Sequence, residues 1–128
     1  KKYAIMFGMC MGKINLKANL VSPDEILNID TSGIKTSNKI VYKENNITVT
    51  ILIQNNRIEM NRTCNEYKIN LVFEKNKKTI SNYQVFGMPK TFDLETKTKK
   101  LIIKENLIEL EYELEGNHFN YSLEMEDL

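Results

Sequence analysis

The feature that most constrains this chain is a two-residue alternation of apolar and polar side chains, repeated in segment after segment. Ile14, Leu16, Ala18 and Leu20 alternate with Lys13, Asn15, Lys17 and Asn19. The pattern recurs in Ile47, Val49, Ile51 and Ile53, in Ile69, Leu71 and Phe73, and in Ile108, Leu110, Tyr112 and Leu114. It closes the chain in Phe119, Tyr121, Leu123 and Met125. Successive side chains of a strand point to opposite faces. Each segment therefore offers one face to a core and one to water, as in an antiparallel sheet buried on a single side.

Turn-forming clusters punctuate these runs: Ser22-Pro-Asp24, Glu44-Asn-Asn46, Gln54-Asn-Asn56, Glu74-Lys-Asn76, Lys104-Glu-Asn106 and Glu115-Gly-Asn117. Short strands separated in this way read as a sandwich or barrel. Strands are expected over 13–21, 26–35, 39–44, 47–53, 57–63, 67–73, 78–85, 91–99, 101–104, 107–115 and 118–126, with 101–104 a separate short piece. No long stretch carries a helical stripe, and a short helix fits only near the N-terminus or around Pro23. The expected fold is all-β: one antiparallel barrel of about 8–10 strands, whose closure removes exposed edges. Residues 13–126 form the barrel and 1–12 a lead-in or plug, all within one domain. A chain of 128 residues is long enough to bury a core without disulfides or metals.

Net charge is +1, so no global field draws nucleic acid, membrane or acidic substrates. Cys10 and Cys64 are the two cysteines, and they form neither a disulfide framework nor a CxxC pair. The run Ala4 to Met11 behind Lys1-Lys2 is too short to span a bilayer and lacks a signal-cleavage site. Asn46, Asn61 and Asn120 open glycosylation-type triplets, which chance supplies in a chain this rich in Asn. These features suit a cytoplasmic protein.

Catalytic signatures are missing. His118 is the single histidine and is expected in a solvated turn; one histidine does not make the common multi-histidine zinc sites. There is no glycine-rich phosphate loop and no G-x-S-x-G elbow. Cys64 reads as a buried structural thiol, because nothing places a base beside it. Glu109, Glu111, Glu113 and Glu115 alternate with apolar residues and read as a solvated strand face. No catalytic residue, metal or cofactor is assigned.

Polar residues on inward faces are more informative. Ile58, Met60, Arg62 and Cys64 share a parity, so Arg62 follows two core residues inward. A guanidinium there is costly unless paired or hydrogen-bonded. Thr96 and Thr98 continue the stripe of Phe92 and Leu94, and Tyr83 shares a face with Ser81 and Val85. Two arrangements satisfy these positions. In one, Arg62, Tyr83, Thr96 and Thr98 form a polar ligand subsite in the lumen, with Arg62 meeting an anionic group. In the other, Arg62 lies near the barrel mouth and pairs with a carboxylate, or a β-bulge shifts the parity.

Several motifs together resemble the YwiB-like family of bacterial calycin-type, lipocalin-like barrels, a domain of unknown function. They are Met60-Asn-Arg62-Thr, the hairpin Leu71-Val-Phe-Glu-Lys-Asn-Lys-Lys-Thr79, Tyr83-Gln-Val-Phe-Gly87, Phe92-Asp-Leu-Glu-Thr-Lys-Thr98 with Leu101, and Ile108-Glu-Leu-Glu-Tyr-Glu-Leu114. From Lys13 to Gln54 the likeness is one of strand pattern. Arg62, Tyr83, Gly87 and Thr96 fall where the family tends to show such residues, whereas Cys64 stands where it usually has Gly. The resemblance implies a calycin-like barrel in the bacterial cytoplasm and no established activity. Three functions stay open: a barrel binding a small apolar or anionic molecule in its lumen, a non-catalytic module interacting through its outer surface, and, least favoured, an enzyme using residues around Arg62. No nucleic acid or membrane partner is expected, and the chain is a monomer or homodimer.

Overall fold

The computed structural model describes residues 12–127. The expected lead-in or plug, apart from Gly12, and Cys10 within it lie outside the described residues. The strands are β1 (Gly12–Val21), β2 (Ile26–Lys35), β3 (Lys39–Glu44), β4 (Ile47–Gln54), β5 (Arg57–Thr63), β6 (Tyr67–Glu74), β7 (Lys78–Val85), β8 (Thr91–Lys104), β9 (Leu107–Leu114) and β10 (Asn117–Asp127). Every strand pairs antiparallel with its sequence neighbours, and β1 pairs with β10 to close a ten-stranded barrel. No helix among the described residues is long and apolar enough to cross a membrane. Pro23 sits in a bend rather than a helix, because the Ser22 side chain and backbone bond to Glu25 and tighten the β1–β2 connection.

Local chemistry sets the connections. Asn45 and Asn56 adopt positive φ values of 57° in two-residue hairpin loops, a conformation asparagine tolerates better than most residues. Glu115 and Gly116 both have positive φ, 48° and 84°, as a tight primed hairpin turn between β9 and β10 requires. His118 is not in this turn. It is the second residue of β10, and its Nε2 lies 3.2 Å from Glu111 on β9.

The two pieces expected over 91–99 and 101–104 are one strand, β8, interrupted by a register shift between Thr98 and Lys100. The extra residue resets the parity, so Thr98 and Leu101 are both buried although they are three apart. This is why two threonines precede an apolar tail on the same face.

The core fills the lumen. Ile14, Leu16, Ile40, Ile51, Ile58, Phe73, Ile108 and Leu123 are each at most 1% exposed. Each such side chain contributes roughly 1.5–3 kcal/mol on leaving water. Gly33 is fitted to this packing: a Cβ there would lie 2.6 Å from the Val41 carbonyl oxygen and 3.0 Å from Leu16 Cδ2. It stands opposite Tyr42 in the β2–β3 register, leaving room for that ring. Gly33→Ala is expected to lower stability by about 1–3 kcal/mol in urea unfolding, as overpacking does. Ser32→Ala, on the exposed side of the same strand, should change it by less than about 0.5 kcal/mol.

Candidate functional site

The lumen is not uniform along the barrel. At the end where β1 finishes and β10 begins, inward side chains are only half-buried: Leu20, Ile29, Ile47, Ile69, Leu114 and Phe119 pack on the core from this side. Aromatic rings line part of the rim. Tyr67 and Tyr83 have centroids 6.0 Å apart, Tyr83 and Phe92 lie 6.2 Å apart, and Lys90 Nζ sits 5.5 Å from the Phe92 centroid. Phe119 stacks on Tyr112 at 5.2 Å, and Tyr112 meets Phe73 in the core at 4.6 Å.

Arg62 lies beneath this rim. Its Nη2 donates to Glu44 Oε2, and the two side chains are 15% and 6% exposed. Burial, the largest single influence, would lower the Arg62 pKa, but the Glu44 charge and hydrogen bond, with Tyr42 and Tyr121 beside them, together outweigh it and raise the pKa, so the guanidinium stays charged. Beside the pair, the hydroxyls of Tyr42 and Tyr121 bond at 2.8 Å, both rings at most 4% exposed. Burial raises the pKa values of Tyr42, Tyr112 and Tyr121. Arg62, Glu44, Tyr42 and Tyr121 thus form one buried polar cluster, electroneutral as a whole. A guanidinium has five N–H donors, so Glu44 does not use them all.

The four residues singled out from sequence separate into two places. Arg62 and Tyr83 belong to the half-open end. Thr96 and Thr98 lie on the inner face lower down, where the β6–β7 ladder stops after Asn70 and Asn82. Side chains take over there: Ser81 Oγ accepts the Val72 N–H at 3.0 Å and bonds Thr96 Oγ1 at 2.6 Å, while Thr79 Oγ1 donates to the Val72 carbonyl. Thr96 therefore helps to close a seam. The Thr98 backbone bonds Asn76 N–H and the Lys77 carbonyl, whereas its buried Oγ1 has no partner among the described residues. Cys64 is half-buried in the β5–β6 turn, its N–H donating to the Tyr67 carbonyl.

Glu44, Tyr42, Tyr121 and Ser81 complete these arrangements without having been singled out. Parity held the signal for Glu44, which follows Ile40 and Tyr42 inward; its place beside Asn45-Asn46 made it read as part of the turn. Among the described residues no three His, Cys, Asp or Glu side chains converge to hold a metal ion.

Fold and site define a closed, ten-stranded antiparallel barrel, packed along most of its length and half-open over a buried Arg–Glu–Tyr cluster. The chain belongs to the family described as "Domain of unknown function (DUF1934)", whose model matches residues 21–126. It is similar in structure to the ywiB protein from Bacillus subtilis, with a TM-score of 0.76 and 20% identity over 97% of this chain and 98% of that one. At that identity the likeness establishes the barrel fold, and it agrees with the YwiB-like resemblance carried by the motifs. No curated protein matches the chain.

Proposed function

We propose that the protein is a non-catalytic binding barrel whose half-open end takes a small amphipathic molecule. The apolar body of the ligand rests on Tyr67, Tyr83, Phe92 and Phe119, and an anionic or other accepting head group reaches Arg62. The carrying observation is Arg62 itself, a charged group with spare donors beneath a half-buried aromatic rim. Because Glu44 already neutralises the guanidinium, the head is held by directed hydrogen bonds more than by net charge. The packed lower lumen supports binding at the end rather than deep inside. On this reading Thr96 and Thr98 are outside the contact surface. The two isolated cysteines and the family resemblance support work in the cytoplasm, and the net charge of +1 supports a partner other than nucleic acid or membrane.

Titrating decanoate into protein with labelled aromatic and methyl groups tests the reading. Resonances of Tyr67, Tyr83, Phe92 and Phe119 should shift and saturate while those of Ile51 and Phe73 stay fixed. Shifts spread over the outer wall, or none at all, would count against it. Exposed Phe86 and Met88 on the β7–β8 loop favour a second reading, in which this same end meets a protein surface.

A further inference from the structure

A second concavity lies outside the barrel, on the wall formed by β5 to β8. It measures about 410 Å³ and is lined by Asn61, Lys68, Asn70, Asn82, Gln84 and Thr91. That volume falls within the range of small-molecule sites. The residues come from adjacent rows of one register. Asn61 is opposite Asn70, Asn70 opposite Asn82, and Asn82 opposite Asp93. In the next row, Lys68 is opposite Gln84 and Gln84 opposite Thr91. Neighbouring strands are about 4.8 Å apart, so the amides form a ladder at that pitch across the wall.

The wall differs from its neighbour. Between β8 and β9 the outward residues form ion pairs, Lys99 with Glu113 at 2.6 Å and Lys100 with Glu109 at 3.8 Å. In the groove amides predominate and Lys68 is the one charged lining residue, and Asn61 and Asn70 are half-buried although they face outward. Two members are held in place: Asn82 Nδ2 donates to Asp93 Oδ1 at 3.0 Å, and Thr63 Oγ1 donates to Asn61 Oδ1 at 2.5 Å.

The chemistry of this lining selects its ligand. A side-chain amide offers donors and an acceptor in one plane. Four of them without a lining carboxylate do not suit a cation, and a single Lys68 does not make a polyanion site. No apolar side chain lines the groove, which disfavours an apolar molecule. An extended peptide would need a free backbone edge, and the β5–β6, β6–β7 and β7–β8 ladders are paired at these residues. A chain of neutral hydroxyl groups matches donor with acceptor at each step. We infer that this groove, separate from the half-open end, binds a short neutral oligosaccharide through the Asn61–Asn70–Asn82 ladder and Gln84. Tyr67, Tyr83 and Phe92 of the same wall sit on its inner side and no ring is among the lining residues, so binding rests on hydrogen bonds.

The experiment is a titration of ¹⁵N-labelled protein with maltotriose, cellotriose and chitotriose, read at the side-chain NH₂ resonances. At least one sugar should shift and saturate the signals of Asn61, Asn70, Asn82 and Gln84, leaving the Arg62 guanidinium signal unmoved. Asn70→Ala, an outward substitution, should keep the fold by its backbone spectrum and weaken that binding about tenfold. Unmoved side-chain amides with all three sugars would overturn the inference. So would equal affinity in Asn70→Ala, or a response to triglycine but to none of the sugars.

Discussion

Arg62→Met is expected to destabilise the protein by about 3–5 kcal/mol, because it leaves the Glu44 carboxylate buried without its partner. That is a large share of the total stability of a domain of this size, about 5–15 kcal/mol. The double variant Arg62→Met/Glu44→Leu should recover most of the loss, since an apolar pair of similar volume needs no compensation. Glu44→Gln tests the other side. It keeps a hydrogen-bond acceptor but removes the charge that holds the Arg62 pKa up, so it too should be strongly destabilising. Urea unfolding of the four proteins measures all of this. Equal stability of Arg62→Met and the double variant would mean that water already reaches Glu44.

The second large effect is at alkaline pH. Tyr42, Tyr112 and Tyr121 have pKa values raised by burial in the folded barrel. In the unfolded chain they ionise near about pH 10. A raised folded value means that the folded state holds these protons after the unfolded state has lost them. The stability they contribute is complete below about pH 10 and is lost as pH rises from there towards the folded values. Each group removes at most about 1.4 kcal/mol per pH unit in that window, so three together remove at most about 4 kcal/mol per unit. Tyrosinate absorbance should therefore rise in two stages, the second coinciding with loss of the β-sheet circular dichroism signal. Tyr121→Phe should reduce the slope by about a third. If all the tyrosines ionised together near pH 10 with the sheet intact, the buried cluster as described would be wrong.

The alternation that begins at Lys13 carried most of the fold. It located the strands and placed Arg62, Thr96 and Thr98 on inner faces. What it could not carry was which strand lies beside which side chain. Thr96 does face the lumen, but its bond to Ser81 comes into play where the β6–β7 ladder stops, which periodicity along a single strand does not show. The single inserted residue between Thr98 and Lys100 looked like a strand end for the same reason. Glu44 was hidden by its turn, although its parity pointed inward. The outer groove was invisible, because Asn61, Asn70, Asn82 and Gln84 are far apart in sequence and meet only through register.

Binding at the half-open end rests on Arg62 as the group that holds a ligand there. Native mass spectrometry of protein purified without denaturation tests this most directly, run side by side with Arg62→Met/Glu44→Leu. A small copurifying adduct is expected on the parent protein and is expected to be absent from the folded double variant. A bare chain mass for the parent, or the same adduct on both proteins, would contradict it.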